Sequence, residues 1–346
     1  MQGHYLKNWN KWPLPVIPVA KELNPFYNYG VEMSVALAYH LPYENIKFIT
    51  VYGLLKGAQE RGLFDAHNGV HTLVEATSGN TGIVLSLMAK EFGIKHVKLV
   101  VTADIPEGKR FPLVMAGAEL IPPEEGMSGI ATARKLGGGG WIPRWPVSAG
   151  SLNPSIDGCL NLDQYGNLDG VKLHSSFTAP KILEQLDYPP TVFVAGVGTG
   201  GTLIGISNFL RNTRTKIVGT LLSPGNEIPG VRDFNRMKEI TLPWRDFLDQ
   251  YVEVETKLSY LASLWFNWIM GLTPGPSSGF AYLGALKFLK EKKDSRTLDD
   301  IRDGSGKVRV VILFPDGNRP YGDRYMANLP FEYLKPSTAP PLWKLI

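Results

Sequence analysis

The stretch EATSGNTGIVLSLMAKEFG, residues 75–93, constrains the fold more than any other part of the chain. The short apolar segment 71–75 leads into it and is typical of a strand, and residues 81–92 have the apolar spacing of a helix. Between them lie five small residues, Thr77-Ser78-Gly79-Asn80-Thr81. The same order of apolar segment, small-residue turn and helix recurs along the chain. It predicts an α/β fold of mostly parallel sheets with helices on both faces.

The apolar patterns also give bounds for most of the elements. The predicted strands are 31–37, 71–75, 96–101, 118–121, 191–195, 216–222 and 308–314. The predicted helices are 48–61, 81–92, 108–115, 128–136, 175–186, 202–211, 259–270 and 279–290. Four consecutive glycines at 137–140 predict a flexible connector or a lid.

The length and charge of the chain restrict the classes of function. With 346 residues, of which 44% are hydrophobic, the chain can bury a large core, and two lobes are expected. The 36 basic and 32 acidic residues are well mixed and give a net charge of +4. So small and dispersed a charge argues against a nucleic-acid partner.

The cysteines, the histidines and the hydropathy of the sequence bear on disulfides, metal binding and the cellular compartment. Cys159 is the one cysteine, so a disulfide within the chain is impossible. The six histidines, including His67 and His71, show no ligand spacing, so we expect no metal site. The N-terminus lacks the apolar core of a signal peptide, and no apolar run reaches membrane-spanning length. We therefore expect a reduced, cytoplasmic protein with no membrane partner.

The turn at 77–81 places hydrogen-bond donors where a helix begins. Ser78, Asn80 and Thr81 add side-chain groups to the backbone N–H groups of the helix start. Such a turn suits an anionic group, for example a carboxylate. A simple N-cap is the alternative, because Ser and Thr often precede a helix.

A second turn lies in AGVGTGGTLIGISNFL, residues 195–210. It follows the 191–195 strand and carries Gly196, Gly198, Thr199, Gly200, Gly201 and Thr202. Glycines permit close backbone approach, and the helix N-terminus favours a phosphate. The match to a dinucleotide motif is loose, and the 216–222 strand ends without an acidic ribose partner, so the pattern favours a single phosphate. A tight packing turn is the alternative.

A third turn opens the helix at 279–290. It carries Ser277, Ser278 and Gly279, which alone indicate only another N-cap. In a parallel α/β fold, such turns meet at the carboxyl ends of the strands. The three together favour a ligand with a phosphate, a ring and a neighbouring carboxylate. Pyridoxal 5'-phosphate with an amino-acid substrate fits, and such an enzyme needs a lysine for the Schiff base.

The order and spacing of EATSGNTG and GVGTGGT resemble the cysteine synthase and cystathionine β-synthase family of pyridoxal-phosphate enzymes, the fold type II group that is similar to tryptophan synthase β. GPSSGFA and DQYGN agree with it, and the resemblance extends over about residues 14–330. It implies a two-lobed, three-layer α/β fold with mostly parallel sheets. We expect a smaller, mobile lobe at 46–160 that carries the lysine and TSGNT, and a larger lobe at 1–45 and 161–346 that carries the glycine-rich turn.

The resemblance also implies where the lysine lies. The family has N-P-x-G-S-x-K-D-R about thirty residues before TSGNT, and the matching segment here is HLPYENIKFITVYGLLKGAQERG, residues 40–62. Lys47 falls in the lysine position, 31 residues before Ser78, although Phe48 and Ile49 replace the Asp and Arg. Lys56 is the alternative, but it is typical of a solvated helix lysine.

Further roles follow from the resemblance, position by position. Asn80 would contact the phenolic oxygen of the cofactor, and Ser277 or Ser278 would lie near its ring. The phosphate would be held by Gly198, Thr199, Gly200, Gly201 and Thr202. The substrate carboxylate would be held by Thr77, Ser78, Gly79, Thr81 and Gln164.

The end of the last strand departs from the family pattern. The family has a proline and then a serine that contacts the ring nitrogen, whereas Pro315 is followed by Asp316, Gly317 and Asn318. By position Gly317 takes the serine place, which leaves the nitrogen to water or Asn318. We therefore expect that the Asp316 carboxylate does not itself reach the nitrogen.

The resemblance implies β-replacement on a serine-derived amino acid such as O-acetylserine or O-phosphoserine. Lys47 would remove the α-proton, acetate, phosphate or hydroxide would leave, and sulfide or another nucleophile would attack the resulting aminoacrylate. Elimination of the desulfhydrase or dehydratase type is one alternative. A synthase with a carbon or nitrogen nucleophile is another, suggested by the residues around Lys47 and the aromatic cluster 265–268. A non-catalytic homologue that binds a partner is the third alternative. The resemblance also implies a homodimer.

Overall fold

Parallel strands in two separate sheets organise the chain. The computed structural model describes residues 8, 11–65, 69–77, 79–103, 105, 107–140, 142–144, 149–155 and 157–341. The strands are β1 Val16–Pro18, β2 Val31–Leu37, β3 Thr72–Ala76, β4 His96–Val100, β5 Glu119–Ile121, β6 Ile142–Arg144, β7 Ala149–Ser151, β8 Cys159–Leu160, β9 Val192–Gly196, β10 Lys216–Leu222, β11 Gln250–Val254 and β12 Val308–Phe314.

The helices lie between these strands along the chain. They are α1 Lys47–Glu60, α2 Asn80–Met88, α3 Glu107–Met115, α4 Gly129–Leu136, α5 Asp169–Leu173, α6 Ala179–Leu183, α7 Gly201–Leu210, α8 Thr256–Met270, α9 Pro276–Asp294 and α10 Gly322–Asn328. A π-helical turn, His174–Thr178, joins α5 to α6. No helix in the part of the chain that the structure describes is long and apolar enough to cross a membrane.

The chain divides into two compact units, each with its own sheet. Unit 1 contains Lys47–His174 and Glu239–Leu242, together with the described residues before Pro13. Its sheet has the order β5-β4-β3-β8, with every pair parallel, and β6 and β7 form an antiparallel pair. This unit takes in 161–174 because that segment bonds to β3; for example, Asn161 Nδ2 donates to Val74 O at 2.7 Å.

Unit 2 contains Pro13–Ile46, Ser175–Lys238 and Pro243–Ile346, as far as they are described. Its sheet has the order β1-β2-β12-β9-β10-β11 and is parallel except for β1. Helix α9 packs against β9, β10, β11 and β12. Its Phe280, like Val194 and Ile312 of the strands, is fully buried. Each such side chain contributes about 1.5–3 kcal/mol relative to an exposed one.

The pattern-based elements agree closely with the structure where apolar runs are long. The strands predicted at 31–37, 216–222 and 308–314 have the bounds of β2, β10 and β12. The helix predicted at 175–186 instead begins at Asp169, whose N–H donates to Asn167 Oδ1 at 2.9 Å. Polar residues that are buried against the neighbouring helix made this segment resemble a loop in the sequence.

Gly137 and Gly138, the first two residues of the glycine run 137–140, pack against the backbone of neighbouring segments. A Cβ on Gly137 would lie 2.2 Å from Asn161 N, and a Cβ on Gly138 would lie 2.0 Å from Asn153 O. Gly138 also has a φ of +84°. Gly137 and Gly138 are therefore required by close backbone contacts within unit 1.

Residues 265–268 belong mainly to the core of unit 2. Phe266 is fully buried and makes edge contacts with Tyr282 and Phe314. Trp265 and Trp268 pack on each other edge to face, and Trp265 Nε1 donates to Pro340 O at 3.3 Å. Packing accounts for this cluster without a substrate.

Candidate active site

In unit 1, the turn after β3 forms the start of helix α2. Gly79 is the residue before the helix, and its N–H donates to Thr77 Oγ1 at 3.3 Å. Gly82 in the first turn brings α2 close to the sheet, since a Cβ there would lie 2.7 Å from Leu99 Cδ1. The first N–H groups of a helix have no partner inside the helix, so this turn can bind an anion. Ser78 lies outside the described residues.

Gln164 lies beside this turn because β8 pairs with β3. Both strands are parallel, so the residues that follow them emerge at one edge of the sheet. Thr81 Oγ1 donates to Gln164 Oε1 at 2.9 Å, and Gln164 Nε2 donates to Ala76 O at 3.2 Å. Thr81 and Gln164 are buried and 83 residues apart in sequence. The fold thus brings together two of the residues predicted to hold a carboxylate.

A buried ion pair supports the backbone at Gln164. Arg134 of α4 donates to both carboxylate oxygens of Asp163, at 3.1 and 3.0 Å. Asp163 has a φ of +54°, which is costly for a residue with a side chain. Tyr165 OH donates to Ala76 O at 2.7 Å on the other side of Gln164. Contacts on both flanks therefore fix the Gln164 side chain against β3.

Glu75 is a buried acid directly below this turn. It is 1% exposed, and its carboxyl accepts from Ala76 N at 3.2 Å and from Gln164 N at 3.4 Å. Burial, and then the nearby Asp163 charge, raise the pKa of Glu75 to about 8. The group is therefore mainly neutral at pH 7 and connects β3 to the Gln164 backbone. A charged residue inside the apolar strand TLVEA was the sequence signal for it, and motif reasoning assigned it no role.

Lys47 is the first residue of α1, in unit 1. The helix is nearly surrounded by protein, with Phe48, Ile49 and Val51 fully buried. Thr50, one turn after Lys47, hydrogen-bonds through its Oγ1 to His174 Nε2 at 3.0 Å. Complete burial, and then the positive charge of Lys47, lower the pKa of His174 to about 3. Lys47 thus has a neutral imidazole in its surroundings, which sequence reasoning did not identify.

The alternative lysine lies on the solvent side of the same helix. The Lys56 side chain is 43% exposed and faces Glu60 at 3.7 Å, one turn further on. A surface pair of this kind contributes little to stability. Lys56 therefore has the environment of an ordinary helix-surface lysine.

In unit 2, the glycine-rich turn after β9 leads into α7. Gly200 precedes the helix with a φ of +85°, and a Cβ there would lie 2.6 Å from Trp244 Cβ. A Cβ on Gly198 would lie 2.3 Å from Gly230 O. Thr199 is buried, and its Oγ1 accepts from Gly201 N at 3.5 Å. The turn is thus a cradle of backbone groups in which side chains are excluded by contact and by conformation.

The start of α9 and the end of β12 meet in unit 2. Ser277 Oγ donates to Asp316 Oδ1 at 3.0 Å, and Tyr321 OH donates to Asp316 Oδ2. Ser278 Oγ donates to the backbone oxygen of Asp316 at 3.4 Å. Asp316 is 5% exposed and Ser277 is 4% exposed. Because β12 and β9 are parallel neighbours, this cluster lies at the same sheet edge as the glycine-rich turn.

The predicted site residues therefore divide between the units. Unit 1 holds Lys47, Thr77, Gly79, Asn80, Thr81 and Gln164, and unit 2 holds Gly198, Thr199, Gly200, Gly201, Thr202 and Ser277. Among the described residues, no group of three or more His, Cys, Asp or Glu side chains could hold a metal ion.

Both sheets carry small-residue turns at the carboxyl ends of parallel strands, an arrangement of α/β enzymes that bind a small anionic ligand. The chain belongs to the family described as "Pyridoxal-phosphate dependent enzyme", whose model matches residues 19–316. It is an enzyme that depends on pyridoxal phosphate, of the cysteine synthase and cystathionine β-synthase group of fold type II.

Particular relatives agree with this assignment. Cysteine synthase B of Salmonella typhimurium is 30% identical over 294 residues, which cover 84% of this chain and 86% of the relative. Cystathionine beta-synthase of Apis mellifera is 28% identical over 90% of this chain, which spans only 60% of that relative. The crystal structure of cysteine synthase from Entamoeba histolytica superposes with a TM-score of 0.71 at 21% identity, covering 93% of this chain and 90% of that one.

The residues present fit the cofactor. The glycine-rich turn places Gly200 directly before helix α7, and the first backbone N–H groups of a helix have no partner inside it and can bind a phosphate. The buried Ser277 hydroxyl lies at the same sheet edge, where the resemblance places the cofactor ring. A lysine at the start of α1 supplies the amine through which such enzymes hold the cofactor.

Proposed function

We propose that the protein catalyses β-replacement on a serine-derived amino acid, with an O-acetylserine or O-phosphoserine type of donor and sulfide as the simplest nucleophile. The observation that carries this proposal is the buried Thr81–Gln164 pair at the start of α2. Thr81 donates its hydroxyl hydrogen to Gln164 and so fixes the Gln164 amide beside the helix N–H groups, where an α-carboxylate would bind. The cysteine synthases among the relatives support the same reaction class.

The cofactor phosphate would be held by Gly198–Thr202 of unit 2, through backbone N–H groups and the hydroxyls of Thr199 and Thr202. Ser277 would face the ring nitrogen, and Asn80 of unit 1 would face the phenolic oxygen. The bound cofactor supplies an electron sink that lets a substrate lose its α-proton and then its β-substituent. The protein supplies orientation, charge and a base.

Once the substrate amine has displaced Lys47 from the cofactor, the Lys47 Nζ would take the α-proton of the substrate. A general base works best when neighbouring groups do not compete for the same proton. His174 meets this condition, because burial and the Lys47 charge hold the pKa of His174 near 3. The proton on Nζ is then available for the leaving group or for the α-carbon of the product.

The substrate carboxylate would lie against Thr77, Ser78, Gly79 and Thr81, with Gln164 completing the site. Gln164 cannot rotate away without losing its bonds to Thr81 and Ala76. This fixed placement orients the α-hydrogen towards Lys47 and lowers the entropic cost of the reaction.

The test is product analysis with purified protein and pyridoxal phosphate. O-acetylserine, O-phosphoserine, serine and cysteine are each supplied alone, with sulfide, and with a carbon or a nitrogen nucleophile. Amino acids and pyruvate are quantified by mass spectrometry. β-Replacement predicts cysteine from one donor in proportion to sulfide. Pyruvate and ammonia in equal amounts with and without sulfide would replace this proposal by elimination. Reaction only with a carbon or nitrogen nucleophile would retain β-replacement but reassign its second substrate.

We also propose a cytoplasmic homodimer whose unit 1 elements move during turnover. The single cysteine, which the structure leaves as a free thiol, fits a reducing compartment. Light scattering with and without donor amino acid tests the dimer and a change in its dimensions together.

A further inference from the structure

Asp316 is a buried carboxylate that receives hydroxyl groups on both oxygens. Ser277 Oγ donates to Oδ1 at 3.0 Å, and Tyr321 OH donates to Oδ2. Burial raises the pKa of the neighbouring Tyr325, and the Asp316 carboxylate adds to that effect. Ser277 is hydrogen-bonded to a carboxylate that is shielded from water, since Asp316 is 5% exposed.

The backbone around Asp316 holds this carboxylate in one position. Gly275 N donates to Asp316 O at 2.9 Å, and Asn45 forms an antiparallel bridge with Asp316. A Cβ on Gly275 would lie 2.5 Å from Asp316 Oδ1. The glycine is thus required for the carboxylate to approach the start of α9. Such fixed geometry is expected of a functional group rather than of a surface carboxylate.

The position of the cluster relates it to the cofactor phosphate site. β12 ends at Phe314 and β9 at Gly196, and neighbouring strands lie about 4.8 Å apart. A cofactor held by its phosphate in the turn after β9 would therefore have the residues at the end of β12 about one strand spacing away. Ser277 and its hydrogen-bond partner Asp316 are two of the buried polar groups there in unit 2.

We propose that Asp316 acts through Ser277 to hold the ring nitrogen of the cofactor in its protonated form. The inference rests on the proposed placement of Ser277 beside that nitrogen. The Ser277 hydroxyl gives its hydrogen to Asp316, so its oxygen faces the ring as an acceptor. An acceptor pairs with an N–H and not with a bare nitrogen lone pair. The proton comes from solvent, and the negative charge behind Ser277 stabilises the resulting cation. Asp316 is in this sense a positioning residue.

This arrangement has a chemical consequence. A protonated ring withdraws electrons from the substrate more strongly than a neutral one, so it favours early loss of the α-proton. A serine without a carboxylate behind it can instead donate to an unprotonated nitrogen. Asp316 therefore determines which partner in the Ser277–ring hydrogen bond is the donor.

Nitrogen-15 NMR of holoenzyme loaded with ring-labelled pyridoxal phosphate tests the proposal without a reaction. The bound nitrogen in the wild-type protein is expected at the chemical shift of a protonated pyridine and to stay there up to pH 9. In Asp316→Asn it is expected at the unprotonated shift, with cofactor affinity about tenfold weaker, since a charge-assisted hydrogen bond is lost. An unprotonated nitrogen in the wild-type protein would overturn the inference.

Two further variants distinguish the effect of the Asp316 charge on the ring nitrogen from the effect of packing around Asp316. Tyr321→Phe keeps the carboxylate and Ser277 and removes one donor, so the nitrogen should stay protonated. Ser277→Ala removes the connection but keeps the charge, and the nitrogen should lose its proton at lower pH than in the wild type. If Asp316→Asn does not fold, the wild-type and Ser277→Ala spectra still decide. An unchanged titration in Ser277→Ala would contradict the role of Ser277. Failure of labelled cofactor to bind any form would instead refute the proposed cofactor site.

Discussion

The turns at Thr77–Thr81 in unit 1 and Gly198–Thr202 in unit 2 both follow a buried parallel strand and both open a helix. They offer an anion the same backbone N–H groups. The first turn is built by side chains: Thr81 bonds Gln164, and Gln164 is fixed by Ala76. The second is built by the exclusion of side chains, at Gly198 and Gly200. An anion-binding turn at a helix start can thus be formed either with polar side chains or with glycines that have no side chain.

The difference matches the ligand proposed for each turn. A phosphate is bound mainly by backbone N–H groups, so the protein needs close approach and few side chains. An amino-acid carboxylate must be oriented relative to the reacting carbon, so fixed side-chain groups are required. Substitutions in the Gly198–Thr202 turn should therefore weaken cofactor binding, and substitutions in the Thr77–Thr81 turn should weaken substrate binding.

The largest effect is expected at Lys47, the lysine that is proposed to hold the cofactor and to act as the base. Lys47→Ala should reduce kcat at least about 10³-fold, because it removes both the cofactor attachment and the base. Lys56→Ala is the matched control from the same helix and should retain wild-type kcat, since the Lys56 side chain is 43% exposed and pairs with Glu60 at the surface. Steady-state assays after reconstitution measure both. Equal loss in the two variants would show that helix α1, and not Lys47, accounts for the effect.

The glycine-built turn should be sensitive to a single methyl group. Gly198→Ala brings a Cβ to within 2.3 Å of Gly230 O, whereas nothing described lies within 4 Å of a Cβ on Gly79. We expect Gly198→Ala to weaken binding of pyridoxal phosphate by about 10–100-fold through strain and displacement of the turn. Gly79→Ala should leave cofactor affinity within about threefold. Fluorescence titration of apoprotein compares them, and equal affinities would remove the distinction between the turns.

The buried acid below the side-chain-built turn makes stability depend on pH. The pKa of Glu75 is raised from 4.5 to about 8 in the folded protein. The unfolded chain therefore loses this proton first, and the free energy of unfolding falls as pH rises from about 4.5 to about 8. Glu75→Gln stays neutral and should lack this component, so its stability relative to wild type should rise by about 3 kcal/mol between pH 5 and pH 8.

Urea denaturation at pH 5 and pH 8 measures this difference. Glu119→Gln is the control, because Glu119 is largely exposed and faces Lys98 at 3.7 Å. It should change the pH dependence by less than about 0.5 kcal/mol. A wild-type slope retained in Glu75→Gln would assign the pH dependence to other groups.

The smallest effect is expected for the Thr81–Gln164 pair. Thr81→Val removes one hydroxyl and should raise KM for the donor amino acid about tenfold, with cofactor affinity unchanged. Gln164→Leu should do the same, and the double variant should cost less than the sum of the two. Additive effects, or an equal loss of cofactor affinity, would mean that the pair does not act at the substrate carboxylate.

Much of the structure of these two turns could be predicted from the sequence. The strand, turn and helix at 71–92 and at 191–211 were predicted from apolar spacing, because each strand is a buried run and each turn is rich in small residues. The resemblance supplied Gln164, since β8 is only two residues long and gave no strand pattern of its own. The Thr81–Gln164 bond depends on β8 pairing with β3, which no local pattern encodes.

Other features could not be predicted from the sequence, because they depend on contacts between distant residues. The glycines at 137–140 predicted flexibility, yet Gly137 and Gly138 lie against the backbone at Asn161 and Asn153. Glu75 was part of a recognised motif, but its raised pKa comes from burial and from Asp163, which is distant in sequence. The Ser277–Asp316 bond joins the start of α9 to the end of β12. Long-range packing determines all three.

The claim on which the proposed chemistry most depends is that Lys47 carries the cofactor. Borohydride reduction of the reconstituted protein, followed by digestion and mass spectrometry, locates the lysine that holds pyridoxal phosphate. We predict one pyridoxyl-modified peptide, with the added mass on Lys47, and its loss in Lys47→Ala. Modification of Lys56 or another lysine instead, or no stable modification of the wild-type protein, would contradict the assignment and the mechanism built on it.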